Sequence, residues 1–483
     1  MHINWKVIMT LLGVLALACA LIGAARRRPK LIAIALGFGA GVPASAGIVV
    51  GAVAVPVFSC VGLVAVVSWL ATRPRGPGSA VASTLVAFAA WSIAVTAIGP
   101  WAFAGTPVLE PRGGIDEQIR ALTPLAFGIS NIAQAGYLVI ALVVVLHLAA
   151  TGTARTALSV AAWTGIGLST VRNVLRSAGT DPLAPVFDTL NASYTDGDAR
   201  LRGVFSEPSE LATFTLAVMT GTVVLALTSR GRRRIAPLVL GALALGNLLG
   251  SVSGTAVIAS GAVVALALVV VVVRTVLRDG RGVVWFVLGA ITVTSVLLVA
   301  GDTVTTPLLD VIEDKVGSQS FDSRTAADAI GLRVTSDTLG IGAGLGSNRS
   351  SSFLVTLLST VGVPGTALFI VAVALVVRRA AGQRATLPAV ATLGALLIAK
   401  VVSVPDLSTP LLWVTIALCM TASLKHNMWT TADPVMIRPT LVPWQSTDRS
   451  SSASRHCDSS QHSSSCSRTC RRTCTTASAH RSS

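Results

Sequence analysis

The stretch that decides the fold is Gly340–Phe353, which has the sequence GIGAGLGSNRSSSF and closes a long polar loop. It leads directly into the apolar segment Leu354–Val377, whose length suits the roughly 20 residues that cross a bilayer as a helix. Its alternating glycines predict backbone with φ above zero that lies close to another surface. Asn348, Arg349 and the serines then stand at a helix start, where backbone amides and a guanidinium favour an anion. The stretch predicts an anion-binding loop at the mouth of a membrane helix.

The composition of the whole chain is that of a membrane protein. Its 483 residues have a mean hydropathy of +0.74, and only 12% of them are charged. A soluble protein would carry about a quarter charged residues. We therefore predict an all-α fold, a polytopic transmembrane helical bundle of about 12–13 spans with long external loops. The net charge of +16 is placed largely in short basic loops and in the tail, so it indicates membrane orientation and not nucleic-acid binding.

The predicted spans are apolar segments separated by polar or basic connections. They are Val7–Ala25, Leu31–Val49, Ala52–Ala71, Ala80–Gly99, Leu122–Ala149, Ala157–Ser177, Pro208–Thr228, Ile235–Gly250, Gly254–Val273, Val283–Gly301, Ser352–Val377, Thr386–Ser403 and Thr409–Leu424. Pro43 and the small residues around it mark the turn between the second and third segments. If these two segments form one re-entrant element, or if the first segment is not a span, the bundle has 12 spans.

The connections alternate in charge along the chain. One set is short and basic, which places it on the cytoplasmic side by the positive-inside rule. The other set is acidic or long and includes three predicted external loops, at 100–120, 179–210 and 302–351. Residues 1–424 form the predicted transmembrane domain of a multi-pass protein of the cytoplasmic membrane. Residues 425–483 are rich in serine, arginine and cysteine, which predicts a disordered cytoplasmic tail.

Two external loops carry the residues that we predict to form a site. In the first loop, Glu207 precedes a helix that begins at Pro208, and it is either a helix cap or a base for a hydroxyl proton. In the second loop, Arg349 with Asn348 is either an interfacial arginine or a phosphate ligand. The other candidate phosphate ligands are arginines near the external ends of segments. They are Arg172, Arg176, Arg200, Arg202 and Arg324.

Some of these charges have alternative explanations. Arg172 and Arg176 are four residues apart and share one helix face, where they either anchor the helix at the interface or face a cavity. Arg324 belongs to Phe321–Leu339, a predicted amphipathic helix whose other charges are expected to form ordinary solvated ion pairs. Lys400 is a lone lysine in an apolar span, with Asp406 as its expected partner. No metal site is predicted, because no histidine lies in a long external loop and the tail cysteines match no tight zinc spacing.

The order of these motifs resembles the O-antigen polymerase and O-antigen ligase superfamily. The similar features are the block Arg200–Ser209, the turn at Ser251 and Ser253, Arg324, the glycine stretch, and Gly362 and Gly365 in the following span. The resemblance covers 200–377 in motif and most of the chain in architecture. It implies a metal-independent membrane glycosyltransferase without a cofactor. Such enzymes pass a glycan from a polyprenyl diphosphate carrier to an acceptor hydroxyl at the outer face of the bacterial cytoplasmic membrane.

By this resemblance, external arginines hold the diphosphate and a carboxylate activates the acceptor. Here Arg202 and Arg349 are our choices for the diphosphate, and Glu207 is our choice for the base. Two departures favour a polymerase for exopolysaccharide or capsule over a ligase. The chain has Ser350-Ser351 where ligases carry His-Asn, and Ser253-Gly254 where Ser-Arg is usual.

The partners implied by the resemblance are a polyprenyl-diphosphate-linked glycan, membrane lipids and other proteins of envelope-polysaccharide synthesis. The alternative function is a transporter or flippase of lipid-linked sugars. That alternative predicts charges within several spans and two related halves of the chain. A non-catalytic membrane scaffold is a third interpretation, but it gives no reason for such long polar loops.

Overall fold

A computed structural model describes residues 7–50, 53–72, 80–109, 122–188, 200–278 and 319–430. The helices are α1 Leu11–Ala25, α2 Pro29–Gly41, α3 Val57–Thr72, α4 Ala80–Ala102, α5 Ile129–Thr151, α6 Ala154–Ser177, α7 Ala184–Phe187, α8 Pro208–Thr228, α9 Ile235–Gly250, α10 Gly254–Arg278, α11 Gln319–Asp337, α12 Phe353–Ala380, α13 Leu387–Val402 and α14 Pro410–Thr430. The strands are β1 Val7–Met9, β2 Ala46–Val50, β3 Val53–Pro56, β4 Pro107–Leu109 and β5 Leu122–Pro124. The predicted span Val283–Gly301 and the predicted tail from residue 431 onward lie outside the described residues.

The predicted fold class is confirmed, since the described chain is an all-α bundle of the polytopic membrane type. Five of its helical segments are long and apolar enough to cross a membrane: α4, α5, α8, α12 and the segment Gly231–Gly250 that contains α9. Among the shorter apolar helices, α3 packs against α5 and α13 against α8, whereas α1 packs against α2 and α3, and α2 against α6. The 13 residues of α2 extend over only about 20 Å, less than the roughly 30 Å of a hydrocarbon core.

The N-terminal region corrects the predicted spans Leu31–Val49 and Ala52–Ala71. The helix α2 ends at Gly41, and β2 and β3 form an antiparallel hairpin that β1 extends to three strands. The hairpin is rich in valine, and β-branched side chains suit a strand at least as well as a helix. The apolar composition of these residues therefore predicted a buried segment, but it could not show whether that segment is a strand or a membrane-spanning helix.

A second strand pair corrects the predicted span Leu122–Ala149. Its first residues form β5, which pairs antiparallel with β4, and the helix α5 begins only at Ile129. At the other end of the chain, α14 continues to Thr430, beyond the predicted end at Leu424. A helix is present where Phe321–Leu339 was predicted, since α11 runs Gln319–Asp337, but its apolar residues are not gathered on one face; it packs against α12 and β4.

Glycines bring several helices into close contact. A Cβ atom added at Gly37 of α2 would lie 2.4 Å from the carbonyl oxygen of Ala157 in α6. One added at Gly41 would lie 2.8 Å from the carbonyl oxygen of Ala161, one turn further along α6. Small residues at such positions let two membrane helices approach at backbone distance. The pairing of α2 with α6 therefore depends on these two glycines.

Loops predicted to share one side of the membrane contact one another in the structure. Leu201 N donates to Gly250 O at 3.1 Å, and Arg349 N donates to Leu109 O at 2.8 Å. The Lys400 ammonium lies 4.9 Å from the ring centre of Phe353. These contacts join the connections to one another, and we call them together the polar end of the bundle. It consists of residues 103–109, 122–128, 178–188, 200–207, 251–253, 338–352 and 403–409.

Candidate functional site

A polar face of α6 fixes the loop that precedes α8. Ser169, Arg172 and Asn173 share this face because they are three and four residues apart. Gly203 N donates to Asn173 Oδ1 at 2.9 Å, and Val204 N donates to Ser169 Oγ at 3.3 Å. Arg172 Nη1 in turn donates to Gly203 O at 3.0 Å. The backbone of the loop is therefore held in place by side chains of α6.

Arg172 and Arg202 both bind the carboxylate of Asp188. Its Oδ1 accepts Nη1 of Arg172 at 2.9 Å and Nη1 of Arg202 at 3.0 Å. Its Oδ2 accepts the two Nη2 atoms, at 2.7 and 2.6 Å. Asp181 accepts Nε and Nη2 of Arg172, at 3.0 and 2.8 Å. Both arginines are buried, so two predicted diphosphate ligands are neutralised by aspartates that the sequence analysis did not single out.

We call Arg172, Arg176, Asp181, Asp188 and Arg202 the arginine cluster. Burial raises the pKa of Asp188, but the hydrogen bonds and charges of Arg172 and Arg202 lower it by more, so the net pKa is below its ordinary value. Arg176 lies at the edge of the cluster, with its Nε 3.9 Å from Asp181 Oδ2. Three guanidinium groups face two carboxylates, which leaves the cluster with one positive charge in excess.

Glu207 occupies the position predicted for it at the start of α8. It is the N-cap residue, but its side chain makes no capping hydrogen bond. Instead Glu207 Oε2 accepts the Ser209 hydroxyl at 3.0 Å. Glu210 binds the chain before the helix, since its Oε2 accepts Ser206 N at 3.2 Å and Ser206 Oγ at 2.7 Å. Glu207 is thus a partly exposed carboxylate at the start of α8.

Lys400 is fully buried near the end of α13. Its ammonium donates to Val404 O at 2.9 Å, to Asp406 O at 2.7 Å and to Thr409 Oγ1 at 2.7 Å. These bonds use all three of its donors. The expected partner Asp406 is therefore the right residue, but it binds through its backbone carbonyl.

Lys400 also has an aromatic and an acidic neighbour near the two predicted site loops. Its ammonium forms a cation–π contact with Phe353, the first residue of α12. It interacts electrostatically with Glu210 in the first turn of α8. Lys400 therefore lies beside the start of α12 and within electrostatic range of the first turn of α8, against which α13 packs.

The glycine stretch has the backbone that its sequence predicted. Gly340, Gly342, Gly344 and Gly346 have φ values of 73°, 100°, 95° and 76°. The stretch packs along α12, where Ala343 N donates to Ser359 O at 2.9 Å and Gly344 N to Thr360 O at 2.8 Å. There α12 is interrupted at Gly362, whose φ is 71°, and Val363 N donates to Gly340 O at 2.8 Å. The loop therefore binds backbone groups at the interrupted part of the helix.

The amides at the start of α12 bind an anion, but that anion belongs to the protein. Asp328 of α11 accepts Ser351 N and Ser352 N on its Oδ1, at 2.7 and 2.9 Å. The buried Asn348 also binds within the protein, because its Oδ1 accepts Leu109 N at 3.1 Å. Its Nδ2 donates to the hydroxyls of Ser350 and Ser359, at 3.2 and 3.0 Å. This arrangement gives Asn348 a structural role in the loop.

Arg349 differs from the arginines of the cluster. Its backbone N–H binds Leu109 O, but its guanidinium makes no hydrogen bond or ion pair to any residue that the structure describes. The side chain is partly exposed. Arg200, in the loop before α8, and Arg324, on α11, are also partly exposed.

Backbone strain is present in three connections of the polar end. Val252, Leu339 and Val404 are not glycines, yet they have φ values of 39°, 53° and 63°. Such conformations cost about 1–3 kcal/mol each and persist only where the surrounding structure imposes them. Strain of this kind is concentrated at functional sites. A fourth such residue, Arg27, has a φ of 50° and lies between α1 and α2, so strain alone does not distinguish the polar end from the rest of the described chain.

The chain matches no family model and no curated protein in the comparisons made. Among the described residues, no group of three or more His, Cys, Asp and Glu side chains could hold a metal ion. The chemistry that the arrangement offers is that of a carboxylate, Glu207, before α8 and a guanidinium, Arg349, before α12. This combination can accept a proton and stabilise an anionic leaving group.

Proposed function

We propose that this chain is a polysaccharide polymerase or ligase-like glycosyltransferase of the bacterial cell envelope. It transfers a glycan from a polyprenyl diphosphate carrier to an acceptor hydroxyl at the outer face of the cytoplasmic membrane. The observation that carries the proposal is the position of the buried Lys400, which lies over Phe353 at the end of the Arg349 loop and within electrostatic range of Glu210, three residues after Glu207. The order of motifs supports the same family of reactions.

The proposed reaction exchanges one bond for another. The acceptor oxygen bonds to the anomeric carbon of the donor sugar as the bond from that carbon to the diphosphate oxygen breaks. Glu207 accepts the hydroxyl proton, and the polyprenyl diphosphate leaves with the electron pair of the broken bond. Arg349 stabilises the negative charge that grows on the leaving group. A positioned base contributes about 10²–10⁴-fold to such a reaction.

The arginines divide into two roles in this proposal. Arg172 and Arg202 are positioning residues, because Asp181 and Asp188 neutralise them and their cluster fixes the loop before Glu207. Arg349 is the principal diphosphate ligand. The second phosphate has three further candidate ligands near the same end of the bundle. They are Arg176, Arg200 and Arg324.

The test is transfer of a labelled, carrier-linked glycan by the full chain in proteoliposomes, with polymer length measured by electrophoresis. Glu207→Gln and Arg349→Ala should each reduce chain extension by about 100-fold. Arg333→Ala is the matched control, since Arg333 is an exposed arginine of α11 in the same region. Normal polymer length from both site variants would contradict the proposal.

The alternative function is a transporter or flippase of lipid-linked sugars. The observation in its favour is the presence of buried charges in helices, at Arg172 and Lys400, because such charges often mark a transport pathway. The same proteoliposomes distinguish the two functions. A flippase would move the labelled carrier between leaflets without lengthening its glycan, whereas a transferase lengthens the glycan without needing to move the carrier.

A further inference from the structure

Two exposed aromatic rings stack at the end of α4. Trp101 is 72% exposed and Phe127 is 42% exposed, and their ring centres lie 6.3 Å apart with an angle of 20° between the planes. An exposed indole is amphipathic, with an apolar ring and one polar N–H, and such rings are enriched where hydrocarbon meets lipid headgroups. We call Trp101 and Phe127 the aromatic pair.

We propose that the aromatic pair binds the boundary between headgroups and hydrocarbon of a phospholipid bilayer and sets the height of the polar end. The first support is continuity with an apolar surface. Large apolar side chains are exposed along both helices that lead to the pair, and less than half of the apolar window of either helix is buried within the protein. They are Val86, Ile93 and Ile98 on α4, and Ile129, Ile132 and Val139 on α5.

The second support is length. From Ala80 to Trp101 the helix α4 rises about 32 Å at 1.5 Å per residue. A hydrocarbon core is about 30 Å thick. If α4 runs close to the membrane normal and Ala80 lies at one face of the hydrocarbon core, Trp101 lies at the opposite face. In the sequence, β4 and β5 lie between the two rings, and Leu125 N donates to Thr106 O at 2.8 Å next to this strand pair.

The height of the aromatic pair has a consequence for Arg349. Arg349 N donates to Leu109 O in β4, and β4 pairs with β5, which ends three residues before Phe127. The pair and Arg349 are thus attached to the same two-stranded sheet. This places the guanidinium near the layer that contains lipid phosphates. The inference goes beyond the proposed function, since it predicts membrane depth whatever reaction the chain performs.

The experiment measures the depth of Trp101 in the full chain. The protein is labelled with 5-fluorotryptophan and reconstituted in nanodiscs of phosphatidylcholine, and the Trp101 fluorine resonance is assigned by its loss in Trp101→Phe. Three nitroxide lipids, labelled at the headgroup, near the glycerol and at the chain end, and one aqueous gadolinium chelate are added in separate samples. Line broadening by each probe is compared. Trp163, 43% exposed within α6, and Trp413, 1% exposed, are internal controls.

The expected result is that the headgroup or near-glycerol nitroxide broadens the Trp101 resonance at least about threefold more than the chain-end nitroxide or the chelate does. The Trp163 resonance should be broadened most by the chain-end nitroxide, and the Trp413 resonance should be broadened weakly by every probe. Strongest broadening of Trp101 by the aqueous chelate would place the rings in water and overturn the proposal. Protection of Trp101 from every probe would also overturn it, because a protein surface, such as a second copy, would then cover the rings.

Discussion

The two arginine-bearing loops of the polar end, 200–206 and 340–352, differ in what neutralises their charges. In the first loop, Arg202 shares the carboxylate of Asp188 with Arg172, and both guanidinium groups are buried. In the second loop, Asp328 binds backbone amides and leaves the guanidinium of Arg349 without a partner among the described residues. The comparison shows that an arginine motif identifies a binding group only after its counterions are known.

Asp188→Asn should have the largest effect, since it removes the carboxylate that separates two buried guanidinium groups. We expect a loss of about 3–5 kcal/mol in the free energy of unfolding, measured by thermal unfolding in detergent. Asp181→Asn is the matched control and should cost less, because Asp181 hydrogen-bonds Arg172 and not Arg202. Wild-type unfolding temperatures for both variants would show that the cluster does not stabilise the fold.

Arg349→Ala should reduce glycan transfer without reducing stability, in contrast to Arg202→Ala. Removing a preorganised charge that stabilises a transition state costs about 10²–10³ in rate, so glycan transfer should fall by at least about 100-fold. The unfolding free energy should change by less than about 0.5 kcal/mol, as for other substitutions of unpaired surface residues. Arg202→Ala should instead lower the unfolding temperature. If the two variants lose stability equally, the distinction between the loops is wrong.

Lys400→Met should destabilise the end of α13. It leaves the carbonyl oxygen of Val404 without its donor, whereas that of Asp406 keeps the Thr409 hydroxyl, and an unsatisfied buried group costs about 1–3 kcal/mol. We expect the unfolding free energy to fall by about 2 kcal/mol. Asp406→Ala is the control, because it removes only the charge of an exposed carboxylate near Lys400 and leaves the backbone hydrogen bond in place. A larger loss of unfolding free energy from Asp406→Ala than from Lys400→Met would contradict the role given to the Lys400 hydrogen bonds.

Asp328→Ala should have a smaller effect, comparable to the loss of a helix cap. The variant leaves Ser351 N and Ser352 N without their acceptor, which should cost about 1 kcal/mol in the free energy of unfolding. Asp337→Ala on the exposed face of the same helix should change it by less than about 0.5 kcal/mol. Equal unfolding temperatures for the two variants would mean that Asp328 does not cap α12.

The dependence of stability on pH should be the smallest effect near neutrality. Because the folded-state pKa of Asp188 is lowered, its stabilising contribution is complete above the ordinary aspartate pKa of about 3.9 and is lost as the pH falls through the folded value. The stability difference between wild type and Asp188→Asn should therefore be constant from about pH 8 to pH 5. It should shrink only in stronger acid, as measured by chemical unfolding at a series of pH values. A difference that shrinks between pH 8 and 6 would exclude Asp188 as its source.

The sequence predicted those parts of the fold that depend on local pattern. The bounds Pro208–Thr228 and Ile235–Gly250 agree with α8 and α9, because a proline start, an apolar run and a basic connection mark them. The φ values of the glycine stretch were predicted for the same reason, since few residues other than glycine adopt them. The hairpin of β2 and β3 was missed because hydrophobicity alone does not separate a strand from a membrane helix.

The counterions of the candidate site could not be predicted from local pattern. Asp181 and Asp188 lie 9 and 16 residues after Arg172, in a connection with no periodicity to relate them to the helix. The available signal was composition, namely two arginines at the end of a helix followed by two aspartates. Which carboxylate binds which guanidinium depends on how the chain returns over α6, and that is a property of the tertiary structure.

The interruption of α12 has a consequence for mutational scans of this protein. A Cβ atom at Gly342 would lie 2.6 Å from Thr360 O, and one at Gly362 would lie 2.2 Å from Ile341 O. Alanine at either position should therefore displace the glycine stretch from α12. We expect activity to be lost even though neither glycine contacts the substrate. A screen scored by activity alone would rank these glycines with the catalytic residues. Measuring protein abundance in parallel would distinguish variants that misfold from variants that fold but lose catalysis.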